Sequence, residues 1–240
     1  MSIEISNGFI VTPIARFVTS GLVFNLEVAP SSGTTWADLS GNGYNAIISG
    51  SATYVSNNGG GIKLNNTLAN GGGVDFISVP YNISSNTVSV EIVASFNPTS
   101  FWGTIWGNES YSAGRGYLAF VQNSSTITYG KPGVLATETI TTSNSIRHWT
   151  FVINGTQHSL YLNGVQVGVT DTLTIQTLFA TNNLYFGSRH VNDGTGHSDK
   201  LNSSISANQP IFYQMRVYNK ALSVAEITQN YNQIKSTYGL

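Results

Sequence analysis

Short apolar runs that alternate with polar residues at every second position recur along this chain, separated by breaks rich in Gly, Asn and Ser. In "GLVFNLEV" Leu22, Phe24, Leu26 and Val28 share one face while Asn25 and Glu27 look the other way. "TVSVEIVASF" repeats the pattern with Val88, Val90, Ile92, Ala94 and Phe96 set against Ser89, Glu91 and Ser95. A period of two sends successive side chains to opposite faces of a strand, so each run predicts a half-buried β-strand. "HWTFVING", "NNLYFGS" and "IFYQMRVYN" extend the series. In "LYLNGVQVG" Asn163-Gly164 supplies the two positive φ angles of a type I′ hairpin. Half-buried strands joined by tight turns predict an all-β fold, a two-sheet antiparallel sandwich. The composition shows no break that would divide it. A chain of 240 residues buries about 70% of its unfolded surface in one core.

Two segments depart from this rhythm. Residues 1–20, with "IEISNGFIVTPIARFV", are apolar without a clean period. They are expected to form an N-terminal arm or edge strand, ahead of a sandwich domain over 21–240. The chain ends in "RVYNKALSVAEITQNYNQIKSTYGL", where Ser223 and Glu226 stand in capping-box relation. Leu222 and Ile227 are spaced as a hydrophobic staple. Val224, Ile227, Tyr231 and Ile234 recur at helical spacing, which predicts a short C-terminal helix with one apolar face. So short a helix is marginal alone in water, and lying on a sheet as a lid would stabilise it.

Composition narrows function chiefly by exclusion. Only 9% of residues are charged and the net charge is -1, whereas nucleic-acid binding needs a basic face that releases counterions. The same argument excludes anionic membrane surfaces, and no apolar run reaches the roughly 18 residues of a membrane helix. Cysteine is absent, which removes disulfides, thiol nucleophiles and Cys-zinc sites. The opening "MSIEISNGFIVTPIARF" carries Glu4 early and no signal-peptide pattern, so synthesis in the cytoplasm is the expectation.

Candidate binding residues gather in two loops. "FWGTIWGNESYSAGRGY" holds Trp102, Tyr111 and Arg115, side-chain types enriched at binding hot spots. Trp106, in the same stretch, is expected to point into the core. "SRHVNDGTGHSDK" concentrates Arg189, His190, Asp193 and His197 in a chain otherwise poor in charge, and recognition residues favour loops on rigid scaffolds. The two loops are expected to share one rim; each also reads as solvated surface. No histidine lies in an H-E-x-x-H pattern. Gly59-Gly60-Gly61 and Gly71-Gly72-Gly73 lack the G-K-[ST] of a phosphate loop.

"GLVFNLEV", "SGTTWADLSGNGYNA", "VSVEIVASFNP", "HWTFVINGTQHSLYLNGVQVG", "NLYFGS" and "MRVYNKALSVAEI" occur in that order, and together resemble the concanavalin A-like or laminin G-like jelly-roll superfamily. The resemblance implies a jelly-roll sandwich over residues 21 to 240 with a short helix after the last core strand. Glycan-cleaving members place two carboxylates on one central strand, about 5.5 Å apart in the retaining geometry. Here Glu91 stands alone on the corresponding strand, without a second acid at Ile92, Val93 or Ala94, so it is expected to be a solvated or hydrogen-bonded face residue and the chain not an enzyme. In calcium-binding relatives an Asp similar to Asp38 ligates the ion. This chain has Tyr213 and Gln214 where many relatives carry an acidic pair. Asp38 therefore reads either as a calcium ligand or as a turn residue bonding its own backbone; no other cofactor is implied.

The terminal "ITQNYNQIKSTYGL" is similar to the ending of jelly-roll virion proteins of tailed bacteriophages. That likeness implies a non-catalytic structural protein of the virion, a capsid decoration protein or a tail or fibre appendage. Its expected partners are other capsid or tail proteins and further copies in a homo-oligomer. The alternative is a carbohydrate-binding module or adhesin for a cell-surface glycan, with Trp102 or Tyr111 stacking on sugar rings.

Overall fold

The computed structural model describes residues 3–4, 10–11, 17–66, 75–97, 103–108, 115–123, 125–140, 142–174, 183–191, 196–198, 201 and 208–240. The alternating runs form two eight-stranded antiparallel sheets. The first runs Val165–Thr172, Gln157–Leu162, Ser143–Asn154, Thr87–Phe96, Ile211–Tyr218, Gly61–Lys63 and Thr53–Val55, with Leu22–Leu26 also pairing along Ile211–Tyr218. The second runs from Val134–Thr139 through Thr126–Lys131, Leu118–Asn123, Gly103–Gly107, Leu184–Phe186, Phe76–Val79 and Ala46–Ser49 to Thr35–Trp36.

The core lies between the two sheets and contains Val88, Val90, Ile92, Ala94 and Phe96, as the alternation requires. Trp106, Trp149, Phe151, Phe186 and Phe212 fill its middle. Trp106 meets Phe151 edge-on at 5.6 Å, the geometry that aromatic quadrupoles favour. The predicted hairpin forms, with Asn163 at φ 51° and Gly164 at φ 79° between paired strands. Val28 does not join the core face of its run. It is 65% exposed, because the strand ends at Leu26 and the period of two ends with it.

The helix Val224–Tyr238 lies on the outer face of the first sheet. Ser223 accepts from the Glu226 backbone, and Glu226 reaches back to the Ser223 backbone, closing the capping box. Leu222 and Ile227 bury together with Val152, Tyr161 and Tyr218. Ile234 and Tyr238 pack on Val93 and Tyr213, and Gly239 ends the helix in the left-handed conformation. The buried face differs from the sequence expectation: Val224 and Tyr231 are not among its buried residues, and Asn230 and Tyr238 are. Val224 is 57% exposed, and the fourth buried position is polar, Asn230.

Candidate functional site

Glu91 occupies the centre of that outer face. It alternates away from the core between Val90 and Ile92 and, covered by the helix, is only 1% exposed. Asn230 Nδ2 donates to Glu91 Oε2 at 2.9 Å and to the Tyr218 hydroxyl at 3.0 Å, while Asn230 Oδ1 accepts from the Val18 N–H at 2.9 Å. His148 Nε2 stands 3.4 Å from Glu91 Oε1, and Arg216 Nη1 stands 3.9 Å from Oε2. Arg216 also donates to Gln214 Oε1 at 2.9 Å and lies 3.5 Å from the centre of the Phe17 ring. Burial pushes the Glu91 carboxyl up, but His148, Arg216 and Asn230 outweigh it and hold the group below its ordinary value. The result is a buried anion fixed by three neighbours. The cluster ties the helix and the segment before the first long strand to the centre of the sheet.

At the rim, the "DLSGNGY" loop folds onto the Leu22–Leu26 strand through Asp38. Its Oδ1 accepts from the N–H groups of Asn25 at 2.9 Å and Ser40 at 2.8 Å. Its Oδ2 accepts from the Ser40 hydroxyl at 2.8 Å and the Tyr44 N–H at 3.0 Å. Burial raises the Asp38 carboxyl, and these donors together bring it below its usual range. The contacts are those of an Asx turn. Four donors converge on the carboxylate, an environment suited to an anion held by hydrogen bonds. Calcium takes 6–8 oxygen ligands, and both oxygens of Asp38 already accept from the chain. Asn42 completes the attachment by donating to the carbonyls of Leu22 at 3.1 Å and Val23 at 2.9 Å.

Two clefts flank this pinned loop. One, of about 590 Å³, opens between Phe17, Leu22, Asn25, Glu27, Leu39 and the helix residue Gln233, a volume within the usual range of ligand sites. The other, of about 430 Å³, is lined by Leu22, Asn42, Tyr44, Tyr81 and Asn219. Tyr44 and Tyr81 meet edge-on at 5.4 Å there. Burial, followed by the neighbouring Tyr44, pushes the Tyr81 hydroxyl up.

The candidates named from sequence are distributed differently. Arg115 is exposed at a short bridge, and Trp106 is buried in the core. Arg189–Val191 pairs with Gly196–Ser198 as a two-stranded ribbon in which the backbones of His190 and His197 lie opposite each other. Trp102, Tyr111 and Asp193 lie outside the described residues. The sequence reading missed Asn25, Asn42, Tyr81 and Gln233, each unremarkable in its local stretch. The Asn42-Gly43 turn signal marks the loop but not the clefts beside it.

The architecture defines a lectin-like two-sheet sandwich whose central acidic position is closed by a helix. A model of the concanavalin A-like lectin/glucanases superfamily matches residues 57–228, and the chain belongs to that superfamily. No curated protein sequence matches it. Among solved structures, the binding domain of Paraclostridial mosquitocidal protein 1 aligns with a TM-score of 0.63 and 18% identity, over 89% of this chain and 52% of that one. The binding domain of botulinum neurotoxin DC, solved in complex with rat synaptotagmin II, aligns with a TM-score of 0.65 and 14% identity, over 89% and 52%. Trypanosoma rangeli sialidase in complex with sialic acid gives 0.62 and 15%, over 90% and 33%. The chain thus spans about half the length of the toxin domains and a third of the sialidase. Identities this low establish the shared fold.

Proposed function

We propose that the chain is a non-catalytic recognition module that attaches its carrier to a cell-surface receptor, with carbohydrate as the first ligand class. The observation that carries this reading is Glu91. The carboxylate on the central strand is sealed beneath the helix, 1% exposed, with an Arg, a His and an Asn against it. A glycosidase needs an acid and a second carboxylate reaching the scissile bond, and a sealed anion cannot serve. The fold is shared with toxin domains described as binding domains and with a sialidase solved with sialic acid, which supports recognition as the task. The test uses fluorescently labelled chain on intact cells before and after enzymatic removal of surface glycans. Deglycosylation is expected to reduce labelling. Glycoside hydrolysis that disappears in Glu91→Gln would overturn the non-catalytic reading.

The carrier we propose is a bacteriophage particle, with this chain as a capsid decoration or a tail or fibre appendage. The likeness of "ITQNYNQIKSTYGL" to the endings of virion proteins favours it, as does a near-neutral surface free of cysteine. Purified particles should then contain the chain by mass spectrometry and bind it in pull-downs. Particles that neither contain nor bind it would remove this assignment and leave the recognition module in place.

A further inference from the structure

One side of the sandwich is closed by side chains. Val134–Thr139 ends the second sheet and Val165–Thr172 ends the first. These two end strands lie against each other but, among the described residues, share no ladder. Four titratable side chains face the space between the sheets there. Ala136 and Leu160 belong to the core, so Glu138 and His158, each two residues away on the same strand, also point inward. Asp171 stands opposite His158 and shares its face. Tyr129, a core residue opposite Ala136, completes the group. Glu138 is 7% exposed, His158 1% and Tyr129 0%, and Asp171 is half-buried.

The Glu138 carboxylate reaches across to the first sheet. It rests on Gly168, where a Cβ would collide with both of its oxygens, three residues from Asp171. Burial first, and Asp171 second, push the Glu138 carboxyl up. The Tyr129 hydroxyl, without a hydrogen-bond partner among the described residues, is raised by burial and then by Glu138, Asp171 and Tyr161. His158 lies with its ring 6.3 Å from that of Tyr117. Burial holds it below its ordinary value against the opposing pull of the Gly155 backbone and Asp171. Lys131, at the turn before Val134, is the one permanent cation on the four strands that supply these groups. Two carboxylates from different sheets thus share a poorly solvated edge.

We infer that Glu138 is a proton-operated clasp between the end strands of the two sheets: neutral, it lets Val165–Thr172 pack closed on Val134–Thr139, and ionised beside Asp171, it loosens that strand. Linkage gives the direction. The folded state raises the carboxyl above its ordinary 4.5, so the stabilisation is complete below 4.5 and is lost as pH rises through the folded value. His158 acts in the opposite sense. Its folded value lies below 6.5, so its contribution is complete above 6.5 and is lost as pH falls. Variants that keep His158 separate the two effects.

The test follows the Glu138 carboxyl of the full chain by carbon NMR through a pH titration, in wild type and in Asp171→Asn. The wild-type midpoint is expected above 4.5 and should move down in Asp171→Asn. Amide hydrogen exchange in Val165–Thr172, corrected for intrinsic rates, then reads the strand itself. Near neutral pH, opening of this strand in Glu138→Gln is expected to be about threefold rarer than in wild type, the size of a like-charge pair on neighbouring strands. The two should converge as pH falls toward 4.5. A wild-type midpoint at or below 4.5 would overturn the clasp, and that measurement needs no substitution, so it decides even where a variant does not fold. A midpoint unmoved in Asp171→Asn would remove Asp171 as the opposing charge and overturn the clasp as well. Exchange that is the same in wild type and Glu138→Gln across the whole pH range would do so too.

Discussion

Replacing Glu91 by Gln removes one buried charge while keeping the side chain's size and an oxygen that can accept from Asn230. Arg216, itself 1% exposed, is then left with Gln214 and the Phe17 ring. Removing one partner of a buried ion pair costs about 3–5 kcal/mol, because the other charge stays desolvated. The 3.9 Å separation from Arg216 places the expected loss at the lower end, about 3 kcal/mol. In a chain of this size that lowers the melting temperature by about 6–12 °C. Urea unfolding at neutral pH measures the same loss directly. The double variant Glu91→Gln/Arg216→Met should recover most of it, since hydrophobic replacement of a whole buried pair is often neutral or stabilising. The pH dependence has a defined sign. The folded state holds the Glu91 carboxyl below its ordinary 4.5, so its contribution is complete above that value and is lost as pH falls through the folded pKa. The gap between wild type and Glu91→Gln should therefore narrow on acidification below 4.5. A single variant melting within about 2 °C of wild type, or a double variant no better than the single, would refute the buried-pair argument.

Ser223→Ala removes the cap oxygen that accepts from the Glu226 backbone and should cost about 1 kcal/mol, read as faster amide exchange in the first turn of the helix. Asp38→Ala frees four donors and should cost about 2 kcal/mol, measured by urea unfolding. Because the Asp38 carboxyl is held below its usual 3.8, the wild-type advantage should decline as pH drops below that value. Gly168→Ala forces a left-handed φ of 65°, worth about 1–2 kcal/mol. It also places a Cβ 1.8 Å from Glu138 Oε2, so its midpoint in urea should fall even though the site is an exposed edge strand.

Beyond the two-sheet sandwich and its superfamily, both of which hold, what could be read from sequence was local. The Asn163-Gly164 hairpin, the Ser223–Glu226 capping box and the alternation of Val88 to Phe96 are set by residues within a few positions of one another, and each forms as expected. The expected helix face went wrong at Val224 and Tyr231, missed Tyr238, and omitted Asn230 because apolarity was the criterion. Asn230 is buried for its hydrogen bonds to Glu91, 139 residues away, and to Val18, 212 residues away. No local pattern encodes such a pairing, since it exists only once the helix has docked. The same limit applies to the rim cleft. Phe17, Asn25, Leu39 and Gln233 come from four separate parts of the chain and converge through the docked helix and the Asp38 turn.

The Glu91 cluster and the rim cleft are parts of one construction. Asn230 holds the Val18 backbone with one atom and Glu91 and Tyr218 with another. It thereby fixes Phe17 on one side of the cleft, while Gln233, three residues further along the helix, contributes to another. Asp38 fixes the opposite wall by joining the Leu39–Ser40 turn to the Asn25 backbone. Both anchors are carboxylates held below their ordinary pKa by hydrogen bonds and charge. On this scaffold both acidic groups hold neighbouring segments still. A rigid cleft loses little conformational entropy when it binds.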